Sequence, residues 1–287
     1  CVLMAPASSN APVLAGVVGH PVCHSLSPVI HTIWAKRAGI NGYYIPIDVP
    51  PSYDEFARAM DSLRVVGFAG VNVTLPHKEH ALRYADKKSE NAQAAGAANM
   101  LTFSDAGASA ENSDITGFAE AVREQRSEPG ISALVLGAGG AARGVVLALK
   151  ALGFTDIRIA NRTMERAVAL AEAFDLAVIE WGKRSQVLEN TDLLVNTTSL
   201  GMSGQPSLEM EIGALKPSAL IADIVYAPLK TDLLRRAEEN SHQTVDGLAM
   251  LMHQAVPGFR QWFGEEASVD DELRGELVKE LNRRGKT

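Results

Sequence analysis

Two short segments in the first third of the chain carry side chains that could bind a small carboxylic acid. The segment HSLSP places Ser25 and Ser27 at the start of a predicted helix, where a carboxylate is favoured. The segment NVTLPHK adds Asn72 and Thr74 as neutral hydrogen-bonding groups and Lys78 as a cation. Both segments follow predicted strands, and open α/β sheets bind ligands at strand ends. Taken alone, the same residues also suit ordinary helix caps and an exposed lysine, so both interpretations stay open.

A glycine-rich turn in the middle of the chain has the pattern of a dinucleotide site. A buried strand pattern at 133–136 runs into G-x-G-x-x-A and then into a predicted helix. Gly137 permits the tight turn, Gly139 lets backbone approach a pyrophosphate, and Ala142 allows close packing of helix on strand. The helix N-terminus then faces the phosphates, so we expect a nucleotide cofactor. A glycine-rich turn that binds nothing is the less favoured alternative.

The end of the next predicted strand bears on the choice between NAD and NADP. NAD-binding proteins usually place an acidic residue there for the ribose hydroxyls. This chain has Asn161, Arg162 and Thr163 instead, with Arg166 one helical turn later. The two guanidinium groups suit a 2′-phosphate, so the sequence predicts NADP.

The elements that must position these residues alternate along the chain. From residue 13 onward, short β-branched runs alternate with helical patterns, which is typical of a mostly parallel sheet covered by helices. Helices are also predicted over 248–263 and 269–284. Ser27 and Ser268 are predicted helix caps, and Ser52 with Glu55 predicts a capping box. The predicted strands span residues 13–18, 43–49, 66–73, 98–103, 133–136, 156–160, 193–196 and 220–223.

The sequence predicts an α/β protein of two domains. Charged and turn-forming residues crowd 123–130, after which a second series of strands and helices begins. We expect residues 13–114 together with 247–287 to form an α/β substrate-binding and catalytic domain. Residues 115–246 are expected to form a Rossmann-type, doubly wound cofactor domain. The C-terminal helices should pack back on the first domain, and residues 1–12, which are small, polar and proline-containing, should lie outside the fold.

Composition and charge exclude several classes of protein. Hydrophobic residues make up 46% and charged residues 21% of the chain, which is the range of folded globular proteins. The net charge of -7 argues against a nucleic-acid partner. No apolar run approaches the ~20 residues that span a bilayer, so no membrane association is expected. With only two cysteines, Cys1 and Cys23, and no recognisable targeting segment, the expected location is the cytoplasm.

The histidines do not predict a metal site. His20 and His24 flank Cys23, and His77 lies three residues before His80. These residues fall on loop positions without the further cysteine or carboxylate ligands that would close a tetrahedral site. We therefore predict no metal.

Taken together, these motifs resemble the shikimate dehydrogenase family, and the match is collinear from about Val13 to Gln254. HSLSP resembles the family's substrate-carboxylate loop, NVTLPHK its catalytic-lysine loop, and GAGGAARG with NRT its NADP site. The resemblance implies reversible, NADPH-dependent reduction of 3-dehydroshikimate to shikimate. It further implies that Lys78 donates a proton to the carbonyl oxygen while Asp114, in the segment NSD, orients the lysine.

The resemblance also implies site residues that the spacing does not identify. The implied catalytic residues are Lys78 and Asp114. The implied substrate-binding residues are Ser25, Ser27, Asn72, Thr74, Lys78, Asn99, Asp114, Tyr226 and Gln254. The implied cofactor-binding residues are Gly137, Ala138, Gly139, Gly140, Ala141, Asn161, Arg162, Thr163, Arg166, Thr197, Ser199, Gly247 and Met250.

Three positions depart from the family's common pattern. Ile115 replaces a glycine after the implied catalytic aspartate, His77 stands where an aromatic residue is common, and Ala249 replaces a frequent glycine. Of these, Ile115 bears most on substrate range, because we expect it to adjoin the ring that is reduced.

Two alternative functions stay open at this point. One is a quinate/shikimate or aminoshikimate dehydrogenase that uses another polyol acid or NAD. The other is a catalytically silent, NADP-binding sensor protein, against which the presence of both Lys78 and Asp114 argues. A monomer and a homodimer are equally compatible with the sequence.

Overall fold

Two six-stranded sheets form the framework of the protein in the computed structural model, which describes residues 11–126 and 130–284. The strands are β1 (Val13–Gly19), β2 (Gly42–Asp48), β3 (Phe68–Val73), β4 (Lys87–Lys88), β5 (Met100–Ser104), β6 (Gly107–Glu111), β7 (Ser132–Leu136), β8 (Asp156–Asn161), β9 (Ala177–Glu180), β10 (Leu193–Asn196), β11 (Leu220–Asp223) and β12 (Thr244–Val245). The helices are α1 (Ser27–Arg37), α2 (Tyr53–Val65), α3 (Lys78–Tyr84), α4 (Glu90–Ala95), α5 (Ser113–Gln125), α6 (Gly140–Ala151), α7 (Met164–Phe174), α8 (Asp232–Glu239), α9 (Gly247–Phe263) and α10 (Asp271–Arg284), and a 3₁₀ helix spans Trp181–Asn190.

The second sheet is parallel throughout, with the order β12-β11-β10-β7-β8-β9. Its central strands β7, β10 and β11 are buried along their whole length, which explains their continuous apolar sequences. The strand order reverses between β7 and β10, and such a switch point opens a crevice at the carboxyl ends of the strands. The glycine-rich turn directly follows β7, so it lies at this crevice.

The first sheet is mixed, with the order β2-β1-β3-β5-β6-β4. Strands β1, β2 and β3 are parallel, whereas β5 runs antiparallel to β3 and β6 antiparallel to β5. Strand β6 pairs with β5 as a hairpin and joins it directly to the start of α5. Strands β4, β6, β9 and β12 are not predicted from the sequence, because they are short or lack a run of β-branched residues.

The C-terminal helices pack back on the first sheet, as predicted. Phe259 of α9 and Leu273 of α10 are fully buried in one apolar cluster with Ala15 of β1 and Ile30 of α1. The predicted α/β class with two sheet regions is therefore confirmed. Residues 1–12 are predicted to lie outside the fold, and 1–10 of them are not among the described residues. Residues 127–129 of the predicted domain boundary at 123–130 are not among the described residues either.

The predicted helix caps are only partly correct. Leu26, not Ser27, is the N-cap of α1, because Ser27 already has helical backbone and Pro28 follows it in the first turn. Asp270 rather than Ser268 precedes α10, and its carboxylate accepts a hydrogen bond from the Leu273 amide at 2.8 Å. The predicted cap at Ser52 is correct, since its hydroxyl accepts from the Glu55 amide.

Candidate active site

A lysine and an aspartate from different helices meet beside the carboxyl ends of strands β3 and β6. Lys78 is the first residue of α3, after the turn that follows β3, and Asp114 is the second residue of α5. The Lys78 Nζ atom lies 2.6 Å from Asp114 Oδ2, and the two side chains keep 24% and 15% of their surface exposed. A half-buried ammonium group held by a carboxylate is suited to donating a proton or hydrogen bond to a ligand oxygen.

A buried amide holds the aspartate in place. Asn99 Nδ2 donates to Asp114 Oδ1 at 2.9 Å and to Ser113 Oγ at 3.0 Å, while Asn99 Oδ1 accepts from the Ser113 backbone N–H at 2.7 Å. Gln254 Oε1 of α9 approaches both Asn99 Nδ2, at 3.4 Å, and Ser113 Oγ, at 3.5 Å. Both oxygens of the Asp114 carboxylate therefore have a protein donor, which fixes its orientation.

Local sequence explains why α5 starts where it does. The Asn112 side chain caps the helix by accepting from the Asp114 amide at 3.2 Å, and its Nδ2 donates to the Ala97 carbonyl at 2.9 Å. One turn later, Gly117 lets α5 approach α9, because a Cβ atom there would lie 2.6 Å from the Gln254 Cβ. The segment N-S-D-x-x-G thus both starts the helix and brings Gln254 to the site.

The serine segment lies beside the same network. Ser25 Oγ accepts from the Ser27 backbone N–H at 3.2 Å, and Ser27 is buried and hydrogen-bonded to the Tyr44 hydroxyl. Asn72 of β3 is also buried: its Oδ1 accepts from Tyr44 at 2.7 Å and its Nδ2 donates to the Asn99 carbonyl at 3.2 Å. Thr74, half-buried, follows β3 on the way to α3. The structure thus connects Ser27 of the first segment to Asn72 of the second through Tyr44, a residue that is not predicted from the sequence.

The histidine before Lys78 is a buried packing residue. His77 Nε2 donates to the Val49 carbonyl at 2.9 Å, its Nδ1 lies 3.0 Å from His80 Nδ1, and its ring stacks on Phe56. Desolvation lowers the pKa of His77 despite the bond to Val49, so the ring is neutral near pH 7. This environment explains why a histidine can replace an aromatic residue at this position.

The glycine-rich turn is an open backbone surface. Gly137 adopts φ +109°, which favours glycine, and a Cβ there would lie 2.6 Å from Thr197 Oγ1. By contrast, among the described residues no atom beyond the adjoining stretch of chain lies within 4 Å of an ideal Cβ position at Gly139 or Gly140. No side chain of residues 11–126 or 130–284 caps the N-terminus of α6, whose amides are therefore available to an anion. The residues present fit a dinucleotide pyrophosphate.

Most of the remaining predicted cofactor residues follow the carboxyl ends of strands β7, β8 and β10 in the second sheet. Arg162 and Arg166 are exposed at the start of α7, after β8. The structure further places Ala138 and Ala141 half-buried at the turn, Asn161 and Thr163 beside Arg162, and Thr197 and Ser199 directly after β10. Asn161 ends β8 and is followed by Arg162 and Thr163, whereas the first acidic residue, Glu165, comes only in the first turn of α7. No acid therefore stands directly at the strand end, in keeping with the prediction of NADP.

Helix α6 joins the two regions. An ideal Cβ at Gly144 would lie 3.8 Å from Asp114 Cβ and 4.0 Å from Ile115 Cγ1, so α6 packs against the segment that carries Asp114. Arg143 Nε donates to the Ala95 carbonyl at the end of α4 at 2.7 Å. Ile115 is 5% exposed and belongs to the apolar core of the second sheet. We expected Ile115 to adjoin a bound ring, whereas the structure places it in the packing between α5 and α6.

Three further predicted residues lie farther along the chain. Tyr226 is half-buried against the core of the first sheet, and burial raises its pKa above the ordinary value while Arg284 opposes the shift. Gly247 begins α9 and is buried against the Ile224 backbone, which leaves no room for a Cβ. Met250, half-buried, packs against the core of the second sheet.

Within 11–126 and 130–284, no three His, Cys, Asp or Glu residues are grouped so as to hold a metal ion. No helix in those ranges is both long enough and apolar enough to cross a membrane.

An open glycine-rich turn at a parallel sheet is followed by a helix that packs against Asp114 of a lysine–aspartate pair beside a second sheet. This arrangement defines a two-domain dinucleotide-dependent oxidoreductase. Comparison with known families agrees with this class. Residues 17–101 match the shikimate dehydrogenase substrate binding domain, and residues 120–248 match the shikimate / quinate 5-dehydrogenase family. The chain belongs to the shikimate dehydrogenase family, which confirms the resemblance seen in its motifs.

Curated and solved relatives cover nearly the whole chain. A shikimate dehydrogenase (NADP(+)) from Acidiphilium cryptum is 46% identical over 269 residues, covering 93% of this chain and 96% of the relative. The Thermus thermophilus shikimate 5-dehydrogenase, solved with NADP(H) and shikimate, is 34% identical with a TM-score of 0.84, covering 94% and 99% of the two chains. A quinate dehydrogenase from Corynebacterium glutamicum, solved with NAD, is 28% identical with a TM-score of 0.87, covering 93% and 99%.

Proposed function

We propose that this chain catalyses the reversible, NADPH-dependent reduction of 3-dehydroshikimate to shikimate. The observation that carries the proposal is the 2.6 Å contact between Lys78 and Asp114, packed against the helix that follows the glycine-rich turn. Relatives with the same activity in their names support it at 46% and 47% identity over most of the chain.

The chain's own task in this reaction is to manage a proton. NADPH, when bound, supplies a hydride to the carbonyl carbon of the substrate. Negative charge then develops on the carbonyl oxygen, and Lys78 donates a proton to that oxygen. Asp114 holds the ammonium group and accepts a hydrogen bond from a substrate hydroxyl, while Asn99 keeps the carboxylate turned toward Lys78.

The other predicted site residues bind the two ligands. Ser25 and Ser27 bind the substrate carboxylate, and Asn72, Thr74, Tyr226 and Gln254 complete the substrate site. The residues proposed to hold NADP are Gly137, Ala138, Gly139, Gly140, Ala141, Asn161, Arg162, Thr163, Arg166, Thr197, Ser199, Gly247 and Met250. The open space at Gly139 and Gly140 and the uncapped helix after them support the pyrophosphate position.

We also propose the domain boundaries, the oligomeric state and the cellular location of the protein. Residues 13–114 with 247–287 act as the substrate domain and 115–246 as the cofactor domain, in a monomer or a homodimer. The cytoplasm is the proposed location, because an exposed free thiol such as that of Cys23 suits a reducing compartment.

A quinate dehydrogenase that uses NAD is the second candidate, favoured by the likeness to the Corynebacterium glutamicum enzyme. The arginines after β8 argue for NADP and thus against it. A silent cofactor-binding protein is disfavoured, since cofactor binding alone does not require the Lys78–Asp114 contact.

A spectrophotometric assay tests the proposal. Purified protein is given shikimate or quinate with NADP or NAD, and reduction of the cofactor is followed. We expect the highest kcat/KM with shikimate and NADP. Higher kcat/KM with quinate and NAD would replace the proposal with the second candidate, and no reduction with any pair would reject both.

A further inference from the structure

Tyr44 occupies a central place beside the substrate segments. Strand β2 alternates around it, with Tyr43 58% exposed, Tyr44 5% exposed and Ile45 45% exposed. Tyr44 pairs in register with Ala15 of β1, and Asn72 of β3 pairs with Val17 of the same strand.

All four residues therefore lie on one face of the sheet. The small side chain of Ala15 separates Tyr44 from β3, so the phenol can extend over β1 toward Asn72. The ring is held from one side by His31, which stacks on it at a centroid distance of 3.9 Å and an interplanar angle of 5°. The hydroxyl position is thus set by packing of the ring.

The Tyr44 hydroxyl connects two arms of the candidate site. It donates to Asn72 Oδ1 at 2.7 Å, and the Ser27 hydroxyl is hydrogen-bonded to the same phenol oxygen. Asn72 in turn donates to the Asn99 carbonyl at 3.2 Å, and the Asn99 side chain donates to Asp114. These hydrogen bonds, continued through the backbone and side chain of Asn99, join the serine segment to the carboxylate of Asp114.

No other donor to the Asn72 amide oxygen is present among the described residues that contact it. Asn72 is 4% exposed, so without the phenol its Oδ1 would be a buried acceptor with no partner. A buried unpaired acceptor is costly, and the side chain would rotate to find another donor. Rotation would release the Asn99 carbonyl from the amide and would disturb the residues on either side.

We propose that Tyr44 is a positioning residue of the substrate site, whose hydroxyl orders Ser27 and, through Asn72, the Asn99 segment before substrate binds. This inference rests on the proposed function. Tyr44 acts through its neighbours and has no assigned contact with the substrate. Its removal should therefore affect substrate use and leave cofactor use unchanged, because the cofactor side shares none of these hydrogen bonds.

The test is Tyr44→Phe, which keeps the ring and its stacking on His31 and removes only the hydroxyl. Loss of one hydrogen bond to a buried acceptor predicts a rise of about tenfold in the KM for shikimate. The KM for NADP should stay within about twofold of the wild-type value. Tyr84→Phe is the matched control, because Tyr84 also hydrogen-bonds through its hydroxyl, to Asp61 at 2.7 Å, but lies outside the site.

A double-mutant cycle separates positioning from general stability. If Tyr44 acts through Asn72, then Tyr44→Phe should change the KM for shikimate by less than about twofold in an Asn72→Ala background. The same cycle with Ser27→Ala tests the hydrogen bond between Tyr44 and Ser27. It replaces the first cycle if Asn72→Ala does not fold. Thermal unfolding of each variant identifies those that are merely unstable.

Each outcome decides the inference. A normal KM for shikimate in Tyr44→Phe overturns it, as does a Tyr44→Phe effect that is undiminished in both the Asn72→Ala and the Ser27→Ala backgrounds. An equal rise in the KM for NADP also overturns it. A wild-type protein inactive on shikimate would reject the proposed function and this inference with it, whereas an active wild type beside an unaffected Tyr44→Phe rejects the inference alone.

Discussion

The substrate side and the cofactor side of the candidate active site are built from different chemical groups. On the substrate side, buried polar side chains bond to one another, as Tyr44 does to Asn72 and Asn99 to Ser113. On the cofactor side, Gly139 and Gly140 present bare backbone to open space. The comparison indicates that the substrate side is organised before ligand arrives, whereas the cofactor side offers a shape and a helix terminus that the ligand itself completes.

This difference has a physical reason. A small polyol acid presents hydroxyl and carboxylate groups at fixed positions, and recognising them requires donors and acceptors held at matching positions. A pyrophosphate is a larger and more diffuse charge, which backbone amides and the dipole of α6 can bind without a specific side chain. Removing a side-chain group should therefore impair ligand binding mainly on the substrate side, whereas adding side-chain volume should impair it mainly on the cofactor side.

The largest effect is expected from Lys78→Ala. Because Lys78 is the proposed proton donor, kcat for shikimate oxidation should fall by about 10²–10⁴-fold, the usual contribution of general acid–base catalysis. The Kd for NADP, measured by fluorescence titration, should change little. A variant with near-normal kcat would remove Lys78 from the mechanism.

The next largest effect is expected from Arg162→Ala on the choice of cofactor. Loss of a charge-assisted contact with the 2′-phosphate should raise the KM for NADPH by about 10–100-fold and leave that for NADH nearly unchanged. Steady-state kinetics with both cofactors measure the ratio. Lys150→Ala, at the other end of α6, is a matched loss of positive charge. Equal loss with NADPH and NADH would contradict the assignment of Arg162.

Two glycine substitutions test the contrast between the two sides directly. Gly117→Ala should destabilise the protein by about 1–3 kcal/mol, because the new Cβ would overlap Gln254 between two packed helices. Gly139→Ala should leave stability within about 0.5 kcal/mol, since its φ of -93° is ordinary and its Cβ meets no atom, yet it should weaken NADP binding.

Thermal unfolding without ligand and NADP titration give the two readouts for each glycine variant. The contrast fails if Gly139→Ala is the less stable of the two, or if it binds NADP as tightly as the wild-type protein.

The smallest effect concerns the pH dependence of stability. His31 is fully buried beside Tyr44, and neither ring nitrogen has a hydrogen-bond partner among the described residues. Burial lowers its pKa to about 3, whereas the unfolded chain protonates near 6.5. The unfolded state therefore binds more protons between these values, and this contribution to stability, complete above pH 6.5, is lost as the pH falls toward 3.

At pH 5 the loss from His31 amounts to about 2 kcal/mol. His31→Phe keeps an aromatic ring and removes the titrating group, so its free energy of unfolding should fall less between pH 7.5 and pH 5 than that of the wild type. Urea unfolding at the two pH values measures the difference. A pH dependence in His31→Phe that parallels that of the wild type would contradict the assignment.

Local patterns were enough to predict much of the fold. Strands β1, β7 and β10 carry uninterrupted apolar runs, and such runs must be buried wherever the chain places them. The edge strands β4 and β12 have two residues each, and their pairing depends on neighbours rather than on their own sequence. The cap before α10 was predicted incorrectly because Ser268 and Asp270 are both good capping residues, and only the path of the chain selects between them.

The amino-acid sequence alone specifies which chemical groups the protein carries: a glycine-rich turn after a buried strand, a lysine after NVTLPH, and arginines where an acid would select NAD. These features are local, and a few neighbouring residues specify each. Which of these groups contact one another depends on the tertiary structure. It brings Asn99 within hydrogen-bond distance of Asp114 and Tyr44 within hydrogen-bond distance of Ser27 and Asn72. It also buries Ile115 in an apolar cluster. Hydrogen bonds between strands and helices far apart in sequence depend on register and packing, which no local pattern encodes.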